Sequence, residues 1–239
     1  MTTTTEDHAQ PAPQGSQSDQ LIRAALVHVP FDGMNHRALA AGAKDVGISP
    51  PLIRVLVPDG GAGLAAAYHR QGDAALAEWM AAQPKQGSIR TRVADAIWKR
   101  LELADRELVR AGAATMALPQ NSIQGGRLVW ETADTIWNGL GDTSDDVSWW
   151  TRRATLASVW GAVVLYWLGD ASDGRADTRA FIDRRIEEVM QIEKFKASAR
   201  KVPGVSALTN LATGWIKRPH DRAGEHPGHV AHPAKGTPA

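Results

Sequence analysis

The stretch Asp145-Asp146-Val147-Ser148-Trp149-Trp150-Thr151-Arg152-Arg153 leads directly into a nearly all-apolar segment, residues 154–168. Helical steps of three, four and seven residues place four of its side chains on one face: Asp146, Trp149, Trp150 and Arg153. Two indoles between a carboxylate and a guanidinium indicate a partner-docking surface, because protein interfaces are enriched in Trp and Arg. The alternative is a helix entrance whose tryptophans pack on their own core.

The composition predicts a mainly helical protein. The chain has 239 residues, of which 43% are hydrophobic, and it has no cysteine, which excludes disulfides and thiolate chemistry. A net charge of +1 gives no overall attraction to nucleic acid. The apolar segment 154–168 is shorter than the roughly 20 residues of a bilayer span, so it predicts a buried helix. No secretory segment is expected either, and the predicted location is the cytoplasm.

Changes in composition along the chain predict five parts. They are a disordered leader (1–20), a helix-turn-helix-like headpiece (21–60), a helical bundle (61–202), an amphipathic helix (203–218) and a disordered tail (219–239). Helices of the bundle are expected near residues 64–83, 88–113, 125–139, 146–168 and 177–201. The fold predicted is therefore all-α, with a bundle behind an N-terminal headpiece.

The sequence of the headpiece predicts three short helices in the helix-turn-helix layout. Asn35 can cap the second helix, Gly47 can end it, and Ser49-Pro50-Pro51 can start the third. The third helix, which would read DNA, offers a single cation, Arg54. Residues 21–60 carry four cations against three carboxylates, whereas binding by counterion release uses about 6–10 phosphate contacts. We therefore expect no nucleic-acid partner.

The bundle is rich in tryptophan, and its apolar helix 154–168 has to be covered on both faces. Large rings leave gaps in a narrow bundle, and such gaps predict a long apolar cavity. The residues expected to line it are Trp130, Trp137, Trp160, Val163, Trp167 and Val189. The alternative is a solid, tryptophan-rich core.

A basic segment begins at the end of the bundle, with six cations and no carboxylate between Lys194 and Arg218. Its apolar residues recur at three- and four-residue steps, which predicts an amphipathic helix that lies in an anionic membrane interface. The membrane-binding residues expected are Leu208, Leu211, Trp215, Ile216, Lys217 and Arg218. The alternative is a terminal helix packed back on the bundle.

Catalytic and metal-binding patterns are not found in the sequence. There is no His-Glu-x-x-His, no nucleophile elbow and no glycine-rich phosphate loop. The histidines of the tail (His220, His226, His229 and His232) lie among prolines and glycines that fix no geometry. We expect no enzyme activity, no cofactor and no metal site.

Several stretches resemble the ubiquinone-biosynthesis accessory proteins of the ninth Coq type. They are Trp130-Glu131-Thr132-Ala133-Asp134-Thr135-Ile136-Trp137, then residues 141–154 with their paired tryptophans and arginines, and Arg184-Arg185-Ile186-Glu187-Glu188-Val189-Met190. Headpiece residues such as Val29-Pro30-Phe31-Asp32-Gly33 resemble the same family. The likeness covers residues 21–197 and is looser beyond. Position 150 holds Trp where better-known members have Tyr, which removes a hydroxyl but keeps the apolar contact.

This resemblance implies a TetR-like fold and a protein that has left transcription. It implies an isoprenoid lipid or quinone precursor in the bundle cavity, and a terminal helix bound peripherally on the inner face of the membrane. The partner implied is the di-iron demethoxyubiquinone hydroxylase, docked on Asp146, Trp149, Trp150 and Arg153, and a homodimer is expected. Two other functions remain open: a TetR-like ligand-sensing transcriptional regulator, and a plain helical adaptor with a solid core.

Overall fold

The computed structural model describes residues 16–84, 86–143 and 147–199, and within these ranges the chain forms helices and turns without a strand. The helices are α1 (Gln17–Asp32), α2 (His36–Asp45), α3 (Pro50–Leu56), α4 (Gly60–Ala82), α5 (Ile89–Glu102), α6 (Arg106–Met116), α7 (Ser122–Leu140), α8 (Val147–Gly169) and α9 (Ala176–Ala199). The all-α prediction is confirmed. None of the helices in these ranges is both long and apolar enough to cross a membrane.

The headpiece consists of α1, α2 and α3. Helix α1 begins at Gln17, inside the predicted leader, because Ser16 forms a capping box with Asp19; residues 1–15 of that leader lie outside the described residues. Asn35 caps α2 through a hydrogen bond from the Arg37 amide, as predicted. Helices α1 and α2 touch at Gly42, where a Cβ would lie 2.4 Å from the Ala25 nitrogen. Only glycine allows this approach.

The expected single helix 88–113 is wrong, because the chain forms two helices there, α5 and α6. The Asp105 carboxylate accepts hydrogen bonds from the amides of Glu107 and Leu108 at 2.8 and 3.0 Å. This N-cap satisfies the first orphan amides of α6 and starts a new helix. The apolar pattern runs through the break, which is why it predicted one continuous helix.

The bundle packs α4 to α9 around a continuous apolar core. Its fully buried members come from five helices and include Leu76, Ile97, Ile136, Val163 and Ile182. Before α9, the Asp170 carboxylate accepts hydrogen bonds from Ser172 and Thr178, and these hold the pKa of Asp170 well below its ordinary value of 3.8. Helix α8 is covered on most sides, but Leu165 keeps 70% of its surface exposed. The expectation that both faces of α8 are covered is therefore wrong for the single chain.

Candidate functional site

Arg153, expected on a docking surface, is fully buried between α7 and α8. Its guanidinium donates to Asp134 (2.5 Å), Asp142 (2.9 Å) and the side-chain oxygen of Asn138 (2.9 Å), and it lies 4.1 Å from the Trp149 ring centroid. A buried guanidinium needs such partners, since an unpaired charge in a core is costly. The expectation of an exposed Arg153 is therefore wrong, and its role here is to position its neighbours.

Three tryptophans form one cluster at the start of α8: Trp130, Trp149 and Trp150, hereafter the Trp cluster. The ring centroids of Trp149 and Trp150 are 4.9 Å apart in an edge-to-face arrangement, and Trp130 lies 6.1 and 5.6 Å from them. Trp149 is buried, whereas Trp150 keeps 36% of its surface exposed. Asp146, the fourth residue of the predicted surface, lies outside the described residues. The exposed part of the cluster is thus centred on Trp150.

A cavity of about 670 Å³ opens between α5, α7, α8 and α9, hereafter the α9 cavity. Its walls are mainly apolar and include two of the six predicted lining residues, Trp137 and Val189. Its volume falls within the roughly 300–1,000 Å³ of small-molecule sites. The bundle is therefore not packed solid at this point.

The other four predicted lining residues lie elsewhere. Trp160 and Trp167 line a separate cavity, Val163 is fully buried in the core and lines neither cavity, and Trp130 belongs to the Trp cluster. Spacing along a helix groups residues by face, but a face that runs the length of a bundle meets different neighbours at each turn. One long cavity was therefore the wrong expectation, because the predicted lining residues that face a cavity are divided between two separate ones.

Polar side chains stand at the rim of the α9 cavity. Arg152 donates to Asp142 at 2.8 Å and its Cζ lies 5.6 Å from the Trp137 ring centroid, while the Trp137 indole donates to the Arg152 carbonyl at 3.1 Å. Across the rim, Arg90 is paired with Glu187. These groups offer charged and hydrogen-bonding atoms beside an apolar wall, which suits an amphiphile with a polar head.

Asp142 connects the rim of the α9 cavity to the Trp cluster. Its carboxylate, only 3% exposed, is shared between Arg152 at the rim and Arg153 behind Trp149. Asp134, Asn138 and Asp142 were not predicted as site residues. They are four residues apart along the chain, a helical spacing that could have indicated a shared site. The same spacing is also typical of exposed helix faces, so it did not single them out.

The second cavity, about 340 Å³, lies between α4, α5, α6, α7 and α8, hereafter the α4 cavity. One wall includes the buried Arg100, which donates to Asp73 at 2.8 Å. Burial raises the pKa of Asp73, but hydrogen bonds and charge from His69 and Arg100 outweigh it and hold that pKa below its ordinary value. In the described ranges, no three acidic or histidine side chains are grouped as a metal site would require.

The six predicted membrane-binding residues lie outside the described residues: Leu208, Leu211, Trp215, Ile216, Lys217 and Arg218. Helix α9 runs to Ala199, and Val189 and Met190 on it line the α9 cavity. The predicted amphipathic helix, residues 203–218, therefore comes shortly after α9 in sequence, and α9 forms one wall of that cavity.

The family model described as COQ9 matches residues 123–193, the part that contains the Trp cluster and most of the α9 cavity. The chain belongs to the COQ9 family. Curated relatives of this chain include ubiquinone biosynthesis protein COQ9, mitochondrial, from Drosophila melanogaster, 30% identical over 197 residues, which are 79% of this chain and 60% of the relative. The Xenopus tropicalis protein of the same name is 30% identical over 199 residues, with 77% and 62% covered.

The chain thus spans about 60% of the length of these COQ9 relatives. A solved structure titled a TetR transcriptional regulator from Nitrosomonas europaea matches with a TM-score of 0.54 and 16% identity, covering 72% of this chain and 96% of the regulator. At that identity the likeness concerns the fold alone. The predicted TetR-like fold is confirmed, and so is the predicted membership of the COQ9 family.

Proposed function

We propose that this COQ9-family protein is a lipid-binding accessory protein of ubiquinone biosynthesis, without a catalytic step of its own. It takes an isoprenoid quinone precursor from the membrane into the α9 cavity and presents it to the demethoxyubiquinone hydroxylase. The observation that carries the proposal is an apolar cavity of about 670 Å³ inside the segment that matches the family. The names of the relatives supply the pathway.

The shape and chemistry of the α9 cavity support an amphiphile. Val93, Leu156 and Val159 give an aliphatic wall for isoprene units, while Arg152 and Asp142 stand at the rim, where a polar ring can lie. A quinone ring carries carbonyl acceptors that an arginine can satisfy, and the isoprene units gain from leaving water. The ring is expected at the rim, nearest the Trp cluster.

Filling the cavity tests this assignment. Thr155 on α8 lines the α9 cavity, so Thr155→Phe should take up part of its volume and weaken binding of a short-chain demethoxyquinone precursor by at least about tenfold. Thr135→Phe is the matched control, since Thr135 is half-buried on α7 and lines neither cavity. Affinity is measured by isothermal titration. Equal binding by both variants would contradict the assignment.

The Trp cluster supports the hydroxylase-docking proposal with a narrower set of residues than the sequence predicted. Trp150 offers exposed aromatic area, and Trp130 and Trp149 support it from behind. Rigid aromatic residues of this kind dominate binding energies at interfaces. Arg153 acts by holding Trp149 and Asp142 in place.

Trp150→Ala should therefore weaken capture of the purified hydroxylase by at least about thirtyfold, the effect of a hot spot of about 2 kcal/mol. Trp98→Ala is the control, because Trp98 is a half-buried tryptophan on α5 outside the cluster. Unchanged capture by Trp150→Ala, with the fold intact by circular dichroism, would reject docking at this surface.

Membrane contact is proposed through residues 203–218, on the inner face of the membrane. Leu208 and Leu211 lie on the apolar face of this predicted helix, while Ser206 and Thr213 lie on the polar face. Leu208→Glu with Leu211→Glu should abolish flotation with anionic vesicles, and Ser206→Glu with Thr213→Glu should largely retain it. Flotation that survives the first pair would remove the membrane assignment.

A homodimer is proposed through α8 and α9. Leu165 is 70% exposed on α8, and beside it Tyr166 stacks on Phe181 of α9 with centroids 4.3 Å apart. A second copy would cover this apolar surface, which a single chain leaves in water. Leu165→Glu should give a monomer by light scattering, and a wild-type monomer would contradict the proposal.

The proposal includes no nucleic-acid partner. Helix α3, the reader position of the headpiece, carries Arg54 as its one cation, and its Val55 is 73% exposed. An exposed valine contributes nothing to counterion release. Salt-dependent DNA binding in a mobility-shift assay would instead favour the regulator.

A further inference from the structure

Helix α1 of the headpiece leaves two large apolar side chains in water on one face. Phe31, in the last turn, keeps 89% of its surface exposed, the highest value among the large apolar residues that the structure describes. Val27, one turn earlier, keeps 69% exposed. The opposite face of α1 holds the buried residues Leu21, Ile22, Ala25 and Val29. Adjacent apolar side chains that no core residue covers indicate a contact surface.

The same exposed face carries the four residues that receive a side chain of a facing helix, hereafter the α1 hole. They are Gln20, Arg23, Ala24 and Val27, spaced at i, i+3, i+4 and i+7. In knobs-into-holes packing, four residues of one helix surround one side chain of the other. The small Ala24 leaves room for a large ring at one corner of the α1 hole.

The projecting ring and the α1 hole lie on one helix, so the surface fits a second copy of itself. The α1 hole is centred between residues 23 and 24, and Phe31 follows that centre by about two helical turns. Two antiparallel α1 helices that cross at Val27 therefore place each Phe31 ring in the α1 hole of the other copy. The arrangement is twofold symmetric and closed, because both copies use the same patch. Arg23 then lies beside the Phe31 ring of the second copy, which adds a cation–π contact.

The charges and the rigidity of α1 favour a second copy over a membrane surface. The helix carries one arginine, Arg23, against two aspartates, Asp19 and Asp32. Anionic lipid attracts clusters of lysine and arginine, so it exerts no net attraction on α1. Both ends of α1 are fixed, by the Ser16 capping box and by the Gly33 amide, which donates to the Val29 carbonyl. A helix that is already ordered loses little entropy when it pairs.

We infer that the headpiece is a self-association module, in which two copies of this chain pair through antiparallel α1 helices that cross at Val27. The pairing surface differs from the α8–α9 surface proposed for the homodimer, since α1 packs mainly on α2, α3, α4 and α6. The inference therefore stands whether or not that homodimer forms. One helix pair buries less than the roughly 800 Å² per partner of a stable interface, so we expect a dissociation constant on the order of 100 µM.

A disulfide test locates the crossing point, because the chain has no cysteine. Val27→Cys gives one thiol per chain, and residues that face each other where two helices cross come within the Cα separation of about 4.4–6.8 Å that a disulfide needs. Under mild oxidation near the expected dissociation constant, Val27→Cys should form a covalent dimer in non-reducing gel electrophoresis. Val55→Cys is the matched control, since Val55 is a valine of α3 that is 73% exposed. Equal cross-linking of both variants, or none in Val27→Cys, would overturn the inference.

Sedimentation equilibrium measures the contact without a new thiol. The molar mass of wild type should double as its concentration rises through the expected dissociation constant. Phe31→Glu should weaken this association at least about tenfold, because its carboxylate would enter an apolar contact, and Val55→Glu should keep it. Circular dichroism checks that both variants are folded.

Failure of the α8–α9 homodimer would change the mass from which the doubling starts, but it would not change the effect of Phe31→Glu. Doubling that Phe31→Glu retains, or a wild-type mass that does not depend on concentration, would contradict the α1 pairing. If Phe31→Glu instead lost flotation with anionic vesicles and kept the doubling, the exposed face of α1 would be a membrane contact and the inference would be wrong.

Discussion

Replacing Arg153 by Met should destabilise the protein far more than replacing its neighbour Arg152 by Met. Both arginines bind the carboxylate of Asp142, at 2.9 and 2.8 Å. They differ in environment, because the Arg153 side chain is 0% exposed and that of Arg152 is 44% exposed. The pair therefore separates the energetic effect of burial from that of the contact itself.

The magnitude follows from what each substitution leaves behind. Breaking a buried ion pair by removing one partner costs about 3–5 kcal/mol, chiefly because the other charge stays buried. Without Arg153, Asp142 still has Arg152 and Asp134 can reach water, so we expect a loss near the lower end, about 3 kcal/mol. Without Arg152, an exposed pair is lost and Asp142 keeps Arg153, so the expected loss is below about 1 kcal/mol.

Urea denaturation followed by circular dichroism measures the free energy of unfolding of both variants and of the wild type. In thermal scans the Arg153→Met midpoint should fall by about 6–12 °C and the Arg152→Met midpoint by less than about 4 °C. The reasoning is refuted if the two variants lose the same stability. It is also refuted if Arg153→Met loses less than about 1 kcal/mol.

Three smaller predictions concern helix ends and close contacts. Asp105→Ala should lower the free energy of unfolding, measured in urea melts, by about 1 kcal/mol through loss of the α6 cap. Asp105→Asn should keep most of the wild-type stability, because asparagine can still cap the helix. Gly42→Ala should cost about 1–3 kcal/mol because its Cβ would meet Ala25, whereas Gly126→Ala, with open space around it, should not destabilise. Because its pKa is lowered, the ionised Asp170 carboxylate stabilises the fold at pH values above 3.8, its ordinary pKa. The difference in free energy of unfolding between wild type and Asp170→Asn should therefore shrink as the pH falls below about 4. A difference that stays constant with pH would contradict this.

The sequence predicted the elements that depend on local signals. Asn35 and Ser49-Pro50 mark helix starts in the headpiece, and the apolar segment 154–168 lies inside α8. It did not predict the break between α5 and α6, because apolar residues continue at helical spacing through Asp105. A cap is decided by one side chain, whereas periodicity averages over many.

The site was predicted only in part, because its contacts join residues far apart in the chain. From the sequence alone, Arg153 is expected to be an exposed cation. In the structure Asp134 of α7 and Asp142 of the following loop pack against it, and no local pattern predicts those contacts. The tryptophans were expected around one cavity, but the structure divides them between two cavities and a cluster. Which turn of a helix meets which neighbour depends on packing angles that no local pattern fixes.

Native mass spectrometry of the protein, purified without detergent, tests the central claim most directly. Wild type and Thr135→Phe should each retain an isoprenoid quinone or precursor near one molecule per chain, identified in the organic extract. Thr155→Phe should retain little, because the phenyl ring occupies the α9 cavity. An empty wild type, or equal lipid in Thr155→Phe, would contradict the account.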